Sequence, residues 1–134
     1  MLAERSVLRG LENIKHVLAT AEDPGLPPGA FDLVLMVDVY HELSHPPQVL
    51  ELVRSSLKPE GRLVLVEFRE EDADVPILPL HKMSQPQVMK ELTANGFKLV
   101  SQYDELPWQH VLSFARDDSK LPEQKLRAWT KPNP

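Results

Sequence analysis

Apolar runs and amphipathic stretches alternate along most of the chain. The stretch from Phe31 to Val39 is almost continuously apolar between Leu33 and Val37, which is typical of a strand buried on both faces of a parallel sheet. Residues 46–57 carry apolar side chains at helical spacing, and residues 62–68 form a second apolar run. A strand, a helix and a strand in this order predict a right-handed βαβ unit.

Further elements are predicted on both sides of this unit. They are a helix over residues 2–11, a strand over 14–19, a helix from a capping box at Ser84 through Asn95, strands over 97–103 and 110–116, and a weak helix between Leu121 and Trp129. The short connection between the last two strands permits antiparallel pairing. We therefore expect one α/β domain over residues 1–116 and a polar, proline-bearing tail over residues 117–134.

Composition narrows the class of protein. The chain is 42% hydrophobic and 26% charged, as in ordinary soluble domains. Its net charge of -5 argues against a nucleic-acid partner, which would require a basic face. The absence of cysteine excludes disulfides and thiolate metal sites and fits a cytoplasmic protein. No apolar run approaches the roughly 18 residues of a membrane span, so no membrane partner is expected.

Polar side chains follow the central strand where it would reach the edge of the sheet. They are Asp38, Tyr40, His41, Glu42 and His45. Because ligands bind outside the carboxyl ends of the strands in open α/β sheets, these residues are candidates for a site. The alternative is a half-buried polar group with a hydrogen-bond partner. For His45 this alternative is as plausible as a functional role, since Ser44 or His45 could simply cap the following helix.

The segment from His41 to His45 also matches the zinc-protease signature His-Glu-x-x-His. That signature works because one continuous helix places both imidazoles on one face, with the glutamate as general base. Here a strand directly precedes the segment, and Pro46 disfavours helical geometry at His45. A third ligand is hard to nominate, because His81 and His110 lie in or beside loops. A zinc hydrolase is therefore a remote alternative, and no metal site is predicted.

Several motifs resemble one family when they are taken in order. They are Phe-Asp-Leu-Val-Leu at 31–35, Tyr-His-Glu-Leu at 40–43, His-Pro at 45–46 and Leu-Lys-Pro-Glu-Gly-Arg-Leu-Val-Leu-Val-Glu at 57–67. Together they resemble the second half of a class I S-adenosylmethionine-dependent methyltransferase, from Asn13 to Arg116. The resemblance implies a partial Rossmann-like, three-layer α/β sheet, mostly parallel with an antiparallel C-terminal strand. It also implies S-adenosylmethionine as the cofactor.

The resemblance assigns roles to single residues. Cofactor binding falls to five positions, of which the first three contact or flank the adenine and the last two line the methionine: Thr20, Ala21, Glu22, Asp38 and Val39. Tyr40 and His41 would face the methyl acceptor, a small molecule or a protein. His81, in a long loop, would reach the acceptor as a base or an orienting group.

The chain also departs from the family pattern. Its five glycines stand at positions 10, 25, 29, 61 and 96, so the Gly-rich turn that binds the cofactor is absent from these residues. We therefore expect a domain that is incomplete or inactive as an isolated chain. The alternative is a non-catalytic remnant that binds a partner.

A bare sheet edge follows from the missing strands. In the family, the first two strands lie beside the strand that residues 31–39 resemble, and without them that strand has an unpaired edge. Either the strand over 14–19 moves in beside it, or a second copy pairs there to form a homodimer.

Overall fold

A computed structural model describes residues 2–134, apart from the side chains of Leu2, Ala3 and Ser6. Its helices and strands in chain order are α1 Leu2–Leu8, β1 Phe31–Val37, α2 Pro46–Ser56, β2 Leu57–Arg69, β3 Lys82–Met83, α3 Gln85–Ala94, β4 Phe97–Tyr103 and β5 Gln109–Arg116. Single turns of 3₁₀ helix lie at Tyr40–Glu42 and Pro79–His81. Among these residues no helix is long and apolar enough to cross a membrane.

The five strands form one mixed sheet in the order β1-β2-β5-β4, with β3 pairing to the end of β2. β1 and β3 each run parallel to β2, whereas β5 is antiparallel to both β2 and β4. Four strands therefore point one way and only the C-terminal strand points the other. This confirms the predicted fold class, a partial Rossmann-like α/β sheet with an antiparallel C-terminal strand.

The core lies between the sheet and two helices that pack on the same face, so the described residues form two of the three layers that the resemblance implies. α2 contributes Val49, Leu50 and Val53, and α3 contributes Val88 and Leu92. They pack against strand residues that include Leu63, Leu65, Leu99, Leu112 and Phe114. Burying each of these side chains contributes roughly 1.5–3 kcal/mol to the stability of the fold. Because the apolar side chains at helical spacing are the ones that are buried, their spacing predicted both helices.

The two helices begin differently. Ser84 caps α3, because its Oγ accepts a hydrogen bond from the Gln87 amide at 3.2 Å, as the capping box predicts. At α2, His45 occupies the N-cap position, but its side chain makes no capping bond. Ser44 Oγ instead lies 2.9 Å from His45 Nδ1. The predicted side-chain cap by Ser44 or His45 is therefore wrong. The first two helical residues are prolines, which have no N–H group to satisfy.

The predicted strand over residues 14–19 is wrong, because these residues form neither a helix nor a strand. A strand needs a hydrogen-bonded neighbour and a buried face, and here Val17 is 51% and Leu18 97% exposed. The segment does not pair with β1, whose outer edge has no partner strand within residues 2–134. The first helix is also shorter than predicted and ends at Leu8.

The C-terminal segment forms a strap along β4 that contains neither helix nor strand, so the weak helix predicted between Leu121 and Trp129 is wrong. The Gln124 amide donates to the Leu99 carbonyl at 2.8 Å. Further along, the Arg127 amide donates to Gln102 Oε1 at 2.9 Å. These bonds hold the backbone against β4. Because both amides donate to β4, they are not available for the hydrogen bonds of a helix. The boundary between domain and tail at residue 117 stays a prediction.

Candidate functional site

The carboxyl ends of β1 and β2 meet at one edge of the sheet. Val37 pairs with Val66, and the next amide, that of Asp38, donates to the Val66 carbonyl at 2.8 Å. Asp38 has a φ of 54°, a left-handed conformation that Asp tolerates better than most residues. Its two carboxylate oxygens accept from Gln109 Nε2 at 2.9 and 2.8 Å. This turn directs the chain into the 3₁₀ turn that carries His41.

A buried, hydrogen-bonded pair of an imidazole and a carboxyl group lies next to this turn. His41 Nδ1 is 2.7 Å from Glu67 Oε2, and the His41 amide donates to Glu67 Oε1 at 3.2 Å. The side chain of Glu67 is fully buried and that of His41 is 7% exposed. Burial raises the pKa of Glu67, and the hydrogen bond and charge of His41 oppose that shift. An ionised Glu67 only accepts hydrogen bonds, so it fixes the proton on Nδ1 and leaves the Nε2 lone pair of a neutral His41 free to act.

His81 reaches the same place from the long loop. β3 pairs with the end of β2, which carries the preceding 3₁₀ turn to this edge. His81 Nδ1 lies 3.3 Å from His41 Nε2, and the two rings meet edge to face with centroids 5.4 Å apart. Glu42 Oε1 lies 3.7 Å from the same His41 nitrogen. His41, Glu42 and His81 thus present three ligand atoms within 4.8 Å of one another.

His110 anchors the short strand β3, which follows His81 in the chain. It pairs with Glu67 across β2 and β5, is fully buried, and lies 2.8 Å through Nε2 from the Met83 carbonyl. Its Nδ1 has no hydrogen-bond partner among the described residues. Burial lowers the pKa of His110, so the imidazole is held neutral. A neutral ring donates one bond to Met83 and anchors the strand next to His81.

Tyr40 is placed differently from its two predicted partners. It is only 2% exposed, lies in the core, and donates from its hydroxyl to Glu91 Oε1 at 3.3 Å. Burial, with the nearby Glu91 carboxylate, raises the pKa of Tyr40. Of the predicted catalytic set, the structure brings His41 and His81 together at the edge and leaves Tyr40 beneath them.

The predicted adenine segment forms a tight turn. The Asp23 amide donates to Thr20 Oγ1 at 3.0 Å, and the Thr20 amide donates to the Asp23 carbonyl at 2.8 Å. Ala21 and Glu22 lie exposed on this turn. Glu22 Oε1 is 3.6 Å from His45 Nε2, which links the turn to the start of α2. Asp38 and the half-exposed Val39 follow the carboxyl end of β1, and their predicted contact with the methionine stays a prediction.

The zinc-protease match does not form one helical face. Leu43 is extended, with φ -65° and ψ 126°, so His41 and His45 belong to different elements. His45 points to Glu22 and Ser44, whereas His41 points to Glu67 and His81.

Glu67 is the residue of this candidate site that the sequence did not predict. It lies inside an apolar strand and was assigned to the strand pattern alone. The sequence did hold an indication of its role. Burying a carboxylate among apolar neighbours costs free energy, so the carboxylate requires a partner. Gln109, which holds Asp38, gave no comparable signal.

Comparisons with known proteins agree with this architecture. A family model described as a methyltransferase domain matches residues 1–65. No curated protein matches the chain. Among solved structures, an S-adenosylmethionine-dependent methyltransferase from Aquifex aeolicus has a TM-score of 0.76 at 22% identity, covering 84% of this chain and 60% of that one.

Two further solved structures extend the comparison. The 1,6-didemethyltoxoflavin-N1-methyltransferase from Burkholderia thailandensis, solved with S-adenosylhomocysteine, has a TM-score of 0.67 at 18% identity, covering 87% of this chain and 56% of that one. The cyclase SpnF has a TM-score of 0.72 at 17% identity, covering 85% and 60%. This chain therefore spans about 60% of the Aquifex structure and of SpnF. The family match and the shared fold confirm the resemblance of this chain to the class I S-adenosylmethionine-dependent methyltransferases.

Proposed function

We propose that this chain is the acceptor-binding part of an S-adenosylmethionine-dependent methyltransferase, and that His41 and His81 face the acceptor. The observation that carries the proposal is the buried Glu67–His41 pair at the carboxyl ends of β1 and β2, where such sheets bind ligands. The fold alone does not carry it, because one structure with the same fold is a cyclase.

The proposed chemistry is an in-line displacement. A lone pair of the acceptor attacks the methyl carbon, the bond from that carbon to sulfur breaks, and neutral S-adenosylhomocysteine leaves. An acceptor O–H or N–H group must also lose its proton. His41 Nε2 takes that proton, Glu67 stabilises the positive charge of the imidazolium that forms, and His81 orients the acceptor. Most of the remaining work is positioning and exclusion of water.

The proposed cofactor site runs along the same edge. Thr20, Ala21 and Glu22 take the adenine, and Asp38 and Val39 take the methionine. The contact between Glu22 and His45 places the adenine turn beside the start of α2, the helix that follows Asp38 and Val39 in the chain. These 134 residues contain no Gly-rich turn, so we expect them alone to bind S-adenosylmethionine only in the millimolar range.

A titration followed by NMR and calorimetry tests this site. Added S-adenosylmethionine should shift amide signals at residues 20–22 and 38–39 with millimolar affinity. Asp38→Asn removes the charge and keeps a residue that tolerates a positive φ, and it should weaken binding further. Asp32→Asn is the matched control, since Asp32 pairs with Lys58 at the other end of β1 and its loss should leave cofactor binding unchanged. Shifts confined to other residues would contradict the cofactor assignment. Micromolar affinity would contradict the expected incompleteness.

A second candidate function is supported by the bare edge of β1. Leu33, Leu35 and Val37 are 54%, 57% and 46% exposed on a strand that is paired on one side only, within the part of the chain that is described. A non-catalytic protein that pairs with a second copy of itself through this edge would cover them. Light scattering over a range of concentrations should then give a dimer, with no response to S-adenosylmethionine. A monomer whose β1 amides exchange rapidly would contradict the homodimer.

A further inference from the structure

We propose that His41, Glu42 and His81 bind a divalent transition-metal ion at the acceptor edge of the sheet. The inference deepens the proposed function, because the ion would lie where the acceptor is placed. It is independent of the His-Glu-x-x-His match as such, since His45 takes no part.

The ligand atoms have the spacing of a metal site. Zinc bonds of about 2.0–2.1 Å at tetrahedral angles place neighbouring ligand atoms about 3.3 Å apart. His41 Nε2 lies 3.3 Å from His81 Nδ1 and 3.7 Å from Glu42 Oε1, and all three atoms lie within 4.8 Å of one another. Glu42 is 63% exposed, so its carboxylate can rotate inward by the small amount that closure requires.

The chemistry of the donors also fits. Two imidazoles and one carboxylate are ligands that zinc and iron(II) accept, and such a set leaves coordination positions open. Metal-bound histidines almost always donate their second nitrogen to a carboxylate or carbonyl. His41 has this arrangement already, because Glu67 holds its Nδ1 from a fully buried position.

A hydrogen bond between two imidazoles is the competing explanation of the His41–His81 contact. Two neutral rings at 3.3 Å share one proton between Nδ1 and Nε2. A bound ion would take the lone pairs of both nitrogens, and the proton of His81 Nδ1 would move to the Nε2 of the same ring. The simple hydrogen bond does not account for the carboxylate of Glu42 beside the same nitrogen.

An ion at this position would stabilise negative charge on an acceptor oxygen. With His41 Nε2 occupied as a ligand, the ion would take over the role of the histidines in the acceptor's proton loss by lowering the pKa of a bound hydroxyl group, and it would favour acceptors with such a group. An amine acceptor would gain less, because its nitrogen attacks as a neutral lone pair.

Zinc and cobalt(II) titrations of the full chain, stripped with a chelator, test the site. Calorimetry should give one ion per chain at micromolar Kd or tighter, and cobalt(II) should give the visible absorption of a four- or five-coordinate site. Glu67→Gln should weaken binding about 10–100-fold through the orientation of His41. His81→Ala, which removes a ligand from a loop, should weaken it more. His45→Ala is the matched control and should bind as the unchanged chain does.

Each outcome decides the question. Equal binding by His81→Ala, equal loss in His45→Ala, or no stoichiometric binding would overturn the site. Circular dichroism and metal-free thermal unfolding of each variant establish that its fold is intact. The S-adenosylmethionine titration is separate, so metal binding without cofactor binding would contradict the proposed function and leave the metal site standing.

Discussion

At the scale of single residues, the site depends on the pairing of Glu67 with His41. A fully buried carboxylate is costly unless it is paired and hydrogen-bonded, and His41 supplies both a backbone and a side-chain donor. Breaking a buried pair by removing one partner typically costs about 3–5 kcal/mol, because the remaining charge stays buried without compensation.

His41→Ala should therefore destabilise the fold in a pH-dependent manner. The folded pKa of Glu67 is raised above its ordinary value of 4.5, so its burial costs nothing below that value and costs stability as pH rises through the folded pKa. The substitution removes the side-chain hydrogen bond and the charge that oppose this shift, and it keeps the backbone donor. We expect a loss of about 2–4 kcal/mol at neutral pH that shrinks on acidification toward pH 4.5.

Urea unfolding of four proteins measures this coupling. The unchanged chain, His41→Ala, Glu67→Gln and the double variant complete a mutant cycle at each pH. The double variant should lose the pH dependence that His41→Ala shows. An equal loss for His41→Ala at all pH values would mean that Glu67 is not the group left uncompensated.

The sequence identified much of this cluster but not its centre. Asp38 and His41 were predicted because they follow a strand that ends at a ligand-binding edge. His81 came only from the family resemblance and the long loop. Glu67 was missed because the apolar pattern describes a strand interior as uniform, whereas the partner that makes an acid tolerable there lies 26 residues away in sequence.

At the scale of elements, the starts of α2 and α3 offer a direct comparison. The sequence suggested side-chain caps at both, yet only Ser84 makes one. Ser84→Ala should lower the free energy of unfolding by about 1 kcal/mol, because the Gln87 amide loses its acceptor. Ser44→Ala is the matched control and should change it by less than about 0.5 kcal/mol. Thermal and urea unfolding check both, and equal losses would contradict the assignment of the cap.

Periodicity predicted those elements that have a surface to pack against. β1, β2, β4, β5 and the helices α2 and α3 all bury a face in the common core, so their pattern reports real contacts. Residues 14–19 have strand-like alternation but no neighbour to pair with. The C-terminal segment has apolar residues at helical spacing, yet Leu126 packs on the core and Trp129 stacks on Arg69 at 4.6 Å from an extended backbone. The pattern gives the propensity of a segment for helix or strand, and the elements beside it decide whether that structure forms.

At the scale of the whole molecule, the two outer edges of the sheet differ in how far they are covered. The C-terminal strap donates from Gln124 to Leu99 and so covers part of the outer edge of β4. Within residues 2–134, the outer edge of β1 has no such cover, and its apolar side chains continue onto β2 through the pairs Leu35–Val64 and Val37–Val66. The sequence resemblance anticipated the uncovered edge of β1, because in the family the first two strands lie on that side of the corresponding strand. It did not anticipate the cover on β4.

A charge on β1 should separate pairing of copies from stability of the fold. In a symmetric antiparallel pair, residues near the two-fold axis meet their own copies, so Leu35→Lys would place two like charges opposite each other. Because Leu35 is 57% exposed, the isolated fold should change by less than about 0.5 kcal/mol. We expect the unchanged chain to sediment as a dimer and Leu35→Lys as a monomer with faster hydrogen exchange in β1. Leu78→Lys, at an exposed leucine in the long loop, is the matched control and should remain a dimer. If Leu35→Lys and Leu78→Lys sediment alike, the bare edge of β1 is not where the copies meet.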